Sequence, residues 1–249
     1  MADSGIPSGS AGGVMARLMV NKVETSLWLT RVMTVFFGLL FLIPFLGGDP
    51  LSLYQRIFLT AAATSALRLH QRAARPVSFT REFFGALVLE DSCHYLFFSL
   101  IFYHTSPVTL AVLPVALFAL LHATTFTLLV LDELGPESVP AIRRLIAAVK
   151  LRQLQILRFV ACAEIFLFPT AIFAVASGKG GLVTPFLYYR FLTLRYASRR
   201  NPYCRTVFYE LRMSIEQLCQ HPSCPGFLKN MAAHAIATVS RFAPAVATA

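Results

Sequence analysis

Residues 107–131, PVTLAVLPVALFALLHATTFTLLVL, carry no formal charge over 25 positions. About 20 apolar residues in a helix match the thickness of a bilayer's hydrocarbon layer, whereas a helix on a soluble core shows polar residues every turn. The run therefore reads as a membrane-spanning helix. Composition agrees, with 56% hydrophobic residues, 14% charged residues and a mean hydropathy of +0.64. Ordinary soluble domains carry roughly a quarter charged residues.

Upstream, only His104, Thr105 and Ser106 separate this run from residues 83–103, which are apolar except for Glu90, Asp91, Ser92 and His94. So short a connection predicts a helical hairpin. Residues 28–46 form another span, with Arg31 near its start placed to snorkel, and Pro44, Gly47, Gly48 and Pro50 end it. Between these runs, residues 51–72 place Arg56, Thr60, Thr64, Arg68 and Arg72 at four-residue intervals, with Tyr54, Ile57, Phe58 and Ala61 on another face. The pattern fits a surface helix packed on a core, but beside a membrane span the favoured reading is an interfacial helix whose basic face is Arg56, Arg68 and Arg72.

Downstream, residues 159–177 are apolar except for Glu164, and residues 182–196 contain Arg190. At 15 residues the latter segment is short for a span and reads as short or re-entrant. Two amphipathic helices finish the chain. In one, Val207, Leu211, Ile215 and Leu218 share a face; in the other, Leu228, Met231, Ala235, Val239 and Phe242 do. The expected fold is all-α: a polytopic membrane protein of helical hairpins plus interfacial amphipathic helices. Residues 1–26 are expected to be a flexible lumenal segment, 27–197 the membrane domain and 198–249 a basic cytosolic region.

The formal net charge is +10, from 22 basic and 12 acidic residues. The cations cluster at the ends of apolar runs, which favours anionic lipid over nucleic acid. The densest cluster is residues 185–212, PFLYYRFLTLRYASRRNPYCRTVFYELR, with six arginines, no lysine and Glu210 as the sole acid. Its arginines, Arg190, Arg195, Arg199, Arg200, Arg205 and Arg212, alternate with aromatics, the chemistry of a membrane–water interface. They are expected to contact anionic lipid of the cytosolic leaflet or an acidic partner surface.

Lysine and arginine favour the cytosolic side of short connections. With 51–72 taken as interfacial, placing the basic segments 51–81, 132–153 and 190–249 in the cytosol requires a lumenal N-terminus and five passages, the last incomplete. A three-span arrangement ranks second, and either leaves the C-terminus cytosolic.

Ionisable groups at membrane depth are functional candidates. Glu90, Asp91, His94, Arg158 and Glu164 form that set. One alternative is an ion or proton path using Glu90 and His94, one turn apart on a helix. The other is a structural clamp, with an acid paired to Arg158 and His94 bonded to a backbone carbonyl. Catalysis is not expected, because Ser92, Cys93 and His94 are helix neighbours that diverge from one another. His122 reads as a bonded core histidine. The five cysteines form no disulfide framework, and Cys204…Cys219-Gln-His221-x-x-Cys224 lacks the paired arms of a zinc site, so neither metal nor cofactor is expected.

Five segments carry a resemblance to a known family: TSALRLHQR (64–72), LEDSCHYLFFSLIF (89–102), LHATTFT (121–127), ACAEIFLFP (161–169) and the arginine–aromatic block at 185–212. In them the chain resembles the transmembrane-protein-33 family, also called Krüppel homologue 2, which includes a yeast pore-membrane nucleoporin. The resemblance implies a non-enzymatic, multi-pass protein of the endoplasmic reticulum and nuclear envelope. It implies reticulon-type and other reticulum membrane proteins as partners, organisation of tubular membrane, and nuclear-pore components as further partners. It also implies links to the unfolded-protein response and to calcium regulation. Oligomeric state does not follow from it.

Overall fold

The computed structural model of the chain describes residues 11–43, 45, 47–72, 80–135, 137–198, 201–222 and 224–242. Among them every extended element is an α-helix: α1 (Ala11–Val20), α2 (Lys22–Leu42), α3 (Pro50–Arg72), α4 (Arg81–Val88), α5 (Asp91–Tyr103), α6 (Thr109–Glu133), α7 (Pro140–Leu151), α8 (Gln153–Ala176), α9 (Val183–Ala197), α10 (Tyr203–Gln220) and α11 (Gly226–Phe242). Of the segment 1–26, expected to be flexible, residues 1–10 lie outside the described residues, and the rest is helical, in α1 and the start of α2.

The chain divides into two compact units, residues 1–156 and 157–249. Among the described residues three helices are long and apolar enough to cross a membrane: α2, α6 and α8. The segment expected as one span over 83–103 is instead two helices, α4 and α5, bent by 78°. Glu90 stands at the break as N-cap of α5 with extended backbone. Counted as one broken span, the pair brings the candidates to four.

In the first unit α2, α3, α5 and α6 pack with alternating direction. Thr34 meets Thr60, Thr30 meets Thr64, and Glu24 meets Arg68, so α3 runs antiparallel along nearly all of α2. Tyr54 meets Thr105 and Phe58 packs on Phe98 and Phe102, which makes α5 antiparallel to α3. Trp28 donates to Thr127, making α6 antiparallel to α2. Further along these two helices, a Cβ at Gly38 would lie 3.3 Å from that of Ala116, so glycine lets the backbones approach. The core is aromatic: Tyr54, Phe58, Phe98 and Phe102 are buried and in ring contact.

Helix α3, expected to lie on the interface, therefore lies beside a spanning helix for 23 residues, about 34 Å. Its apolar residues Leu53, Tyr54, Ile57, Phe58 and Ala61 are buried in protein. The arginine–threonine stripe expected to face headgroups instead faces α2: Arg56 stacks over Phe37 at 5.8 Å, and Thr60, Thr64 and Arg68 bond or pair with α2 side chains.

In the second unit α8 and α9 are antiparallel, with Glu164 paired to Arg195 and, one turn further along α8, Phe168 packed on Tyr189. The turn between them is a Schellman motif. Gly178 N–H donates to Val175 and Lys179 N–H to Ala174, with Gly178 at φ +73°. At 15 residues α9 is about 22 Å long. The first turns of α10 pack Cys204 and Val207 against Ala161, Ile165 and Leu192. The apolar faces beyond are open: Leu218 is 73% exposed, and on α11 Phe227 is 69% and Met231 60% exposed.

Candidate functional site

The polar end of the first unit collects charges from four helices. Asn21 caps α2 by accepting from Glu24 N–H, and Glu24 then faces α3, where it pairs with Arg68 at 3.7 Å and accepts from Gln71 at 3.2 Å. One turn further along α3, Arg72 donates to Glu90 at 2.9 Å, tying α3 to the α4–α5 break. Just inside that break His94 is buried. Its Nε2 lies 2.8 Å from the Val88 carbonyl, and its Nδ1 lies 3.7 Å from Asp91.

Of the two alternatives for Glu90, Asp91 and His94, this geometry matches the clamp in its histidine–carbonyl bond. The acid that clamps is Glu90 and its cation is Arg72, so the expected pairing of an acid of this set with Arg158 is corrected. Glu90 caps α5 and is not at the centre of a continuous span. At this restart the Glu90 carbonyl accepts from the Cys93 and His94 N–H groups, the Glu90 N–H donates to the Leu87 carbonyl, and Arg72 donates to the Glu90 carboxylate.

Arg31 departs most from expectation. It lies nine residues into α2, is only 6% exposed, and borders an open cavity of about 480 Å³ with Arg68 and His122. It points into the bundle, not out to headgroups. His122 was expected to be a bonded core side chain. It instead stacks on Phe118 and opens onto the same cavity.

The second unit holds a fully buried ion pair. Arg195 is 1% and Glu164 0% exposed, with Arg195 Nε donating to the two Glu164 oxygens at 3.2 and 3.3 Å. Tyr188, also buried, donates to the Glu164 backbone carbonyl at 2.7 Å. Arg195 was expected among the lipid contacts, and the structure removes it from that set. Taking a guanidinium out of water costs less when a buried acid on the neighbouring helix pairs with it than when it goes in alone. Arg158 pairs with Glu210 of α10, at the surface.

Of the other block arginines, Arg190 and Arg212 are exposed and Arg205 is half-buried. Arg212 is held by Glu216 at 2.7 Å, which pushes its already high pKa up further. Arg199 and Arg200 lie outside the described residues. Cys204, in the apolar cluster of α10, has its thiol pushed up to about 12 by burial, which disfavours the thiolate a metal would need. Among the described residues no group of three His, Cys, Asp or Glu side chains is placed to hold a metal ion.

Comparisons with known proteins were made on this background. The family described as Transmembrane protein 33/Nucleoporin POM33 matches residues 7–245. Transmembrane protein 33 of Homo sapiens is 49% identical over 248 residues, covering 99% of this chain and 100% of that protein. The Transmembrane protein 33 homolog of Caenorhabditis elegans is 43% identical over 229 residues, 91% of this chain and 83% of the relative. Krueppel homolog 2 of Drosophila melanogaster is 39% identical over 231 residues, 93% of this chain and 82% of the relative. No solved structure gives a significant match.

Proposed function

The chain belongs to the transmembrane protein 33/nucleoporin POM33 family, and from that membership we propose a non-enzymatic organiser of endoplasmic-reticulum and nuclear-envelope membrane. In this reading a helical body crosses the bilayer and a C-terminal amphipathic region holds the cytosolic leaflet. The observation that carries it is the open apolar face of the last two helices. Ile215 and Leu218 on α10, and Phe227, Met231 and Val239 on α11, are 40 to 73% exposed in chain order along two adjoining helices. Helices of this kind lie in the headgroup layer, and wedging them into one leaflet favours curvature. Reticulon-type membrane proteins and nuclear-pore components are the proposed partners of the same surface, and roles in the unfolded-protein response and calcium regulation would be consequences of that placement.

The bundle also supports a revised topology. Because α3 runs antiparallel along α2, the two cross together, and α5 and α6 complete an up-down-up-down body. One end then carries Lys22, Arg68, Arg72, Arg81 and the basic residues of α7, while the connections 43–49 and 104–108 at the other end carry no lysine or arginine. The positive-inside rule places the basic end, and with it the N-terminus, in the cytosol. The lumenal N-terminus expected above depended on α3 lying flat. The proposed cytosolic C-terminus is unchanged, with α8 and α9 entering and returning.

The direct test reconstitutes the full chain into large, flat vesicles containing anionic lipid and follows tubule formation by electron microscopy. Wild-type protein is expected to tubulate them. The triple variant Leu218→Asp, Phe227→Asp, Met231→Asp, inserted equally well, is expected to lose most of this activity. Tubulation unchanged in the variant would overturn the reading.

A further inference from the structure

The cavity at the polar end of the first unit has an unusual lining for a membrane-embedded bundle. Arg31 enters it from α2 and Arg68 from α3, while His122, Thr125, Phe126 and Leu129 line the α6 side. Arg31 is 94% buried by its neighbours. Among the described residues no carboxylate pairs with its guanidinium within 4.0 Å and no side chain or backbone acceptor bonds it within 3.5 Å. Its electrostatic neighbours are Arg68, which repels it, and Glu24, which attracts it. Glu24 is itself engaged by Arg68 and Gln71. Two guanidinium groups thus share one carboxylate at the rim of an open cavity, and the deeper one has five N–H donors to satisfy.

A guanidinium this sheltered that opens onto a cavity is stabilised by an anion entering that cavity. Guanidinium groups match the oxygens of a phosphate bidentately, and the Thr125 hydroxyl adds a donor on the opposite wall. Glu24, Asn21 and His122 make part of the remaining wall polar, while Val20, Phe126 and Leu129 give it an apolar side along which an acyl chain can lie.

We propose that this cavity is a binding site for a phosphate-headed amphiphile, an anionic phospholipid whose phosphate is held between Arg31 and Arg68 and whose glycerol and acyl portion lies along Phe126 and Leu129. The bound lipid serves as the missing counter-charge of the bundle, and it couples α2, α3 and α6 to the lipid composition of the leaflet. This inference is independent of the exposed C-terminal faces, which the tubulation assay reports separately.

The test uses the purified full-length protein in a neutral detergent, with three probes: dioctanoyl phosphatidic acid, dioctanoyl phosphatidylcholine and inorganic phosphate. Thermal midpoint and bound-lipid adducts in native mass spectrometry are the readouts. Phosphatidic acid is expected to raise the midpoint and to form a one-to-one adduct, with phosphatidylcholine at least tenfold weaker. Arg31→Gln is expected to lower the phosphatidic acid affinity at least tenfold, while Lys179→Gln, an exposed control in the second unit, leaves it unchanged. Leu129→Trp, which fills the cavity with Arg31 intact, is expected to abolish the adduct and keeps the test valid if Arg31→Gln fails to fold. Inorganic phosphate stabilising as well as the lipid would support the oxyanion site and assign it to a soluble anion. Equal binding of both lipids, or phosphatidic acid binding unaffected by Leu129→Trp and Arg31→Gln, would overturn the proposal.

Discussion

Glu164 and Arg195 depend on each other more than any other pair described. Removing one member of a buried ion pair strands the other charge, a loss of about 3–5 kcal/mol where it has been measured. Glu164→Gln is therefore expected to lower stability by about 3 kcal/mol, read as a fall in the thermal midpoint in detergent. The double change Glu164→Leu, Arg195→Met is expected to recover most of it, because no buried charge remains. A single variant as stable as the parent would contradict the pairing. Gly38 gives a second expectation at this scale. A leucine there must displace Ala116, whose Cβ would stand 3.3 Å from the new one, so Gly38→Leu should cost about 1–3 kcal/mol. Both charges of the buried pair were visible in the sequence as ionisable groups in or beside apolar runs. Their partnership was not, because choosing Arg195 over Arg158 for Glu164 requires the register of α8 against α9. The sequence signal that existed was the excess of arginine over acid in the block, which makes any nearby buried acid a strong competitor for one of them.

At the scale of elements, α3 shows what periodicity alone leaves open. A stripe of Arg56, Thr60, Thr64 and Arg68 has the same four-residue spacing whether it faces headgroups or another helix. The distinguishing residues sit on α2, where Thr30, Thr34 and Glu24 repeat the same alternation of hydroxyl and charge. Hydroxyl pairs between helices in a membrane contribute about 0.6 kcal/mol each. Thr34→Val with Thr64→Val should therefore cost about 1 kcal/mol, additive within error. A loss no larger than that of Thr206→Val, on the exposed side of α10, would argue against the ladder. The α4–α5 bend was hidden for another reason. No proline or glycine marks it, and the break follows from Glu90 adopting extended backbone as an N-cap while Arg72 holds its carboxylate. The hairpin of α5 and α6, the span at 107–131 and the two C-terminal amphipathic helices were legible, because length and hydrophobic periodicity specify them without tertiary information.

For the whole molecule, the family is shown by similarity across nearly the full chain, and helix count and packing direction bear on how it sits in the bilayer. Treating α3 as a crossing helix gathers the cations of the first unit at one end and leaves two short connections without lysine or arginine at the other. It also brings the cavity of Arg31 and Arg68 to the half of the bilayer that faces the cytosol, where anionic lipids are concentrated. The same placement links the two proposals without making either depend on the other, since one concerns a lipid held within the first unit and the other a leaflet bound by α10 and α11.

The sidedness of the two ends of α3 decides between these arrangements. In a background with the native cysteines replaced, Leu51→Cys and Glu82→Cys place single thiols just inside the start of α3 and beyond its end, both at exposed positions. Sealed vesicles with the cytosolic face outward are treated with a membrane-impermeant maleimide, before and after opening with detergent. A crossing α3 predicts that Glu82→Cys reacts at once and Leu51→Cys only after the vesicles are opened. Equal reaction of both thiols in sealed vesicles would contradict it, returning α3 to the membrane surface and the N-terminus to the lumen.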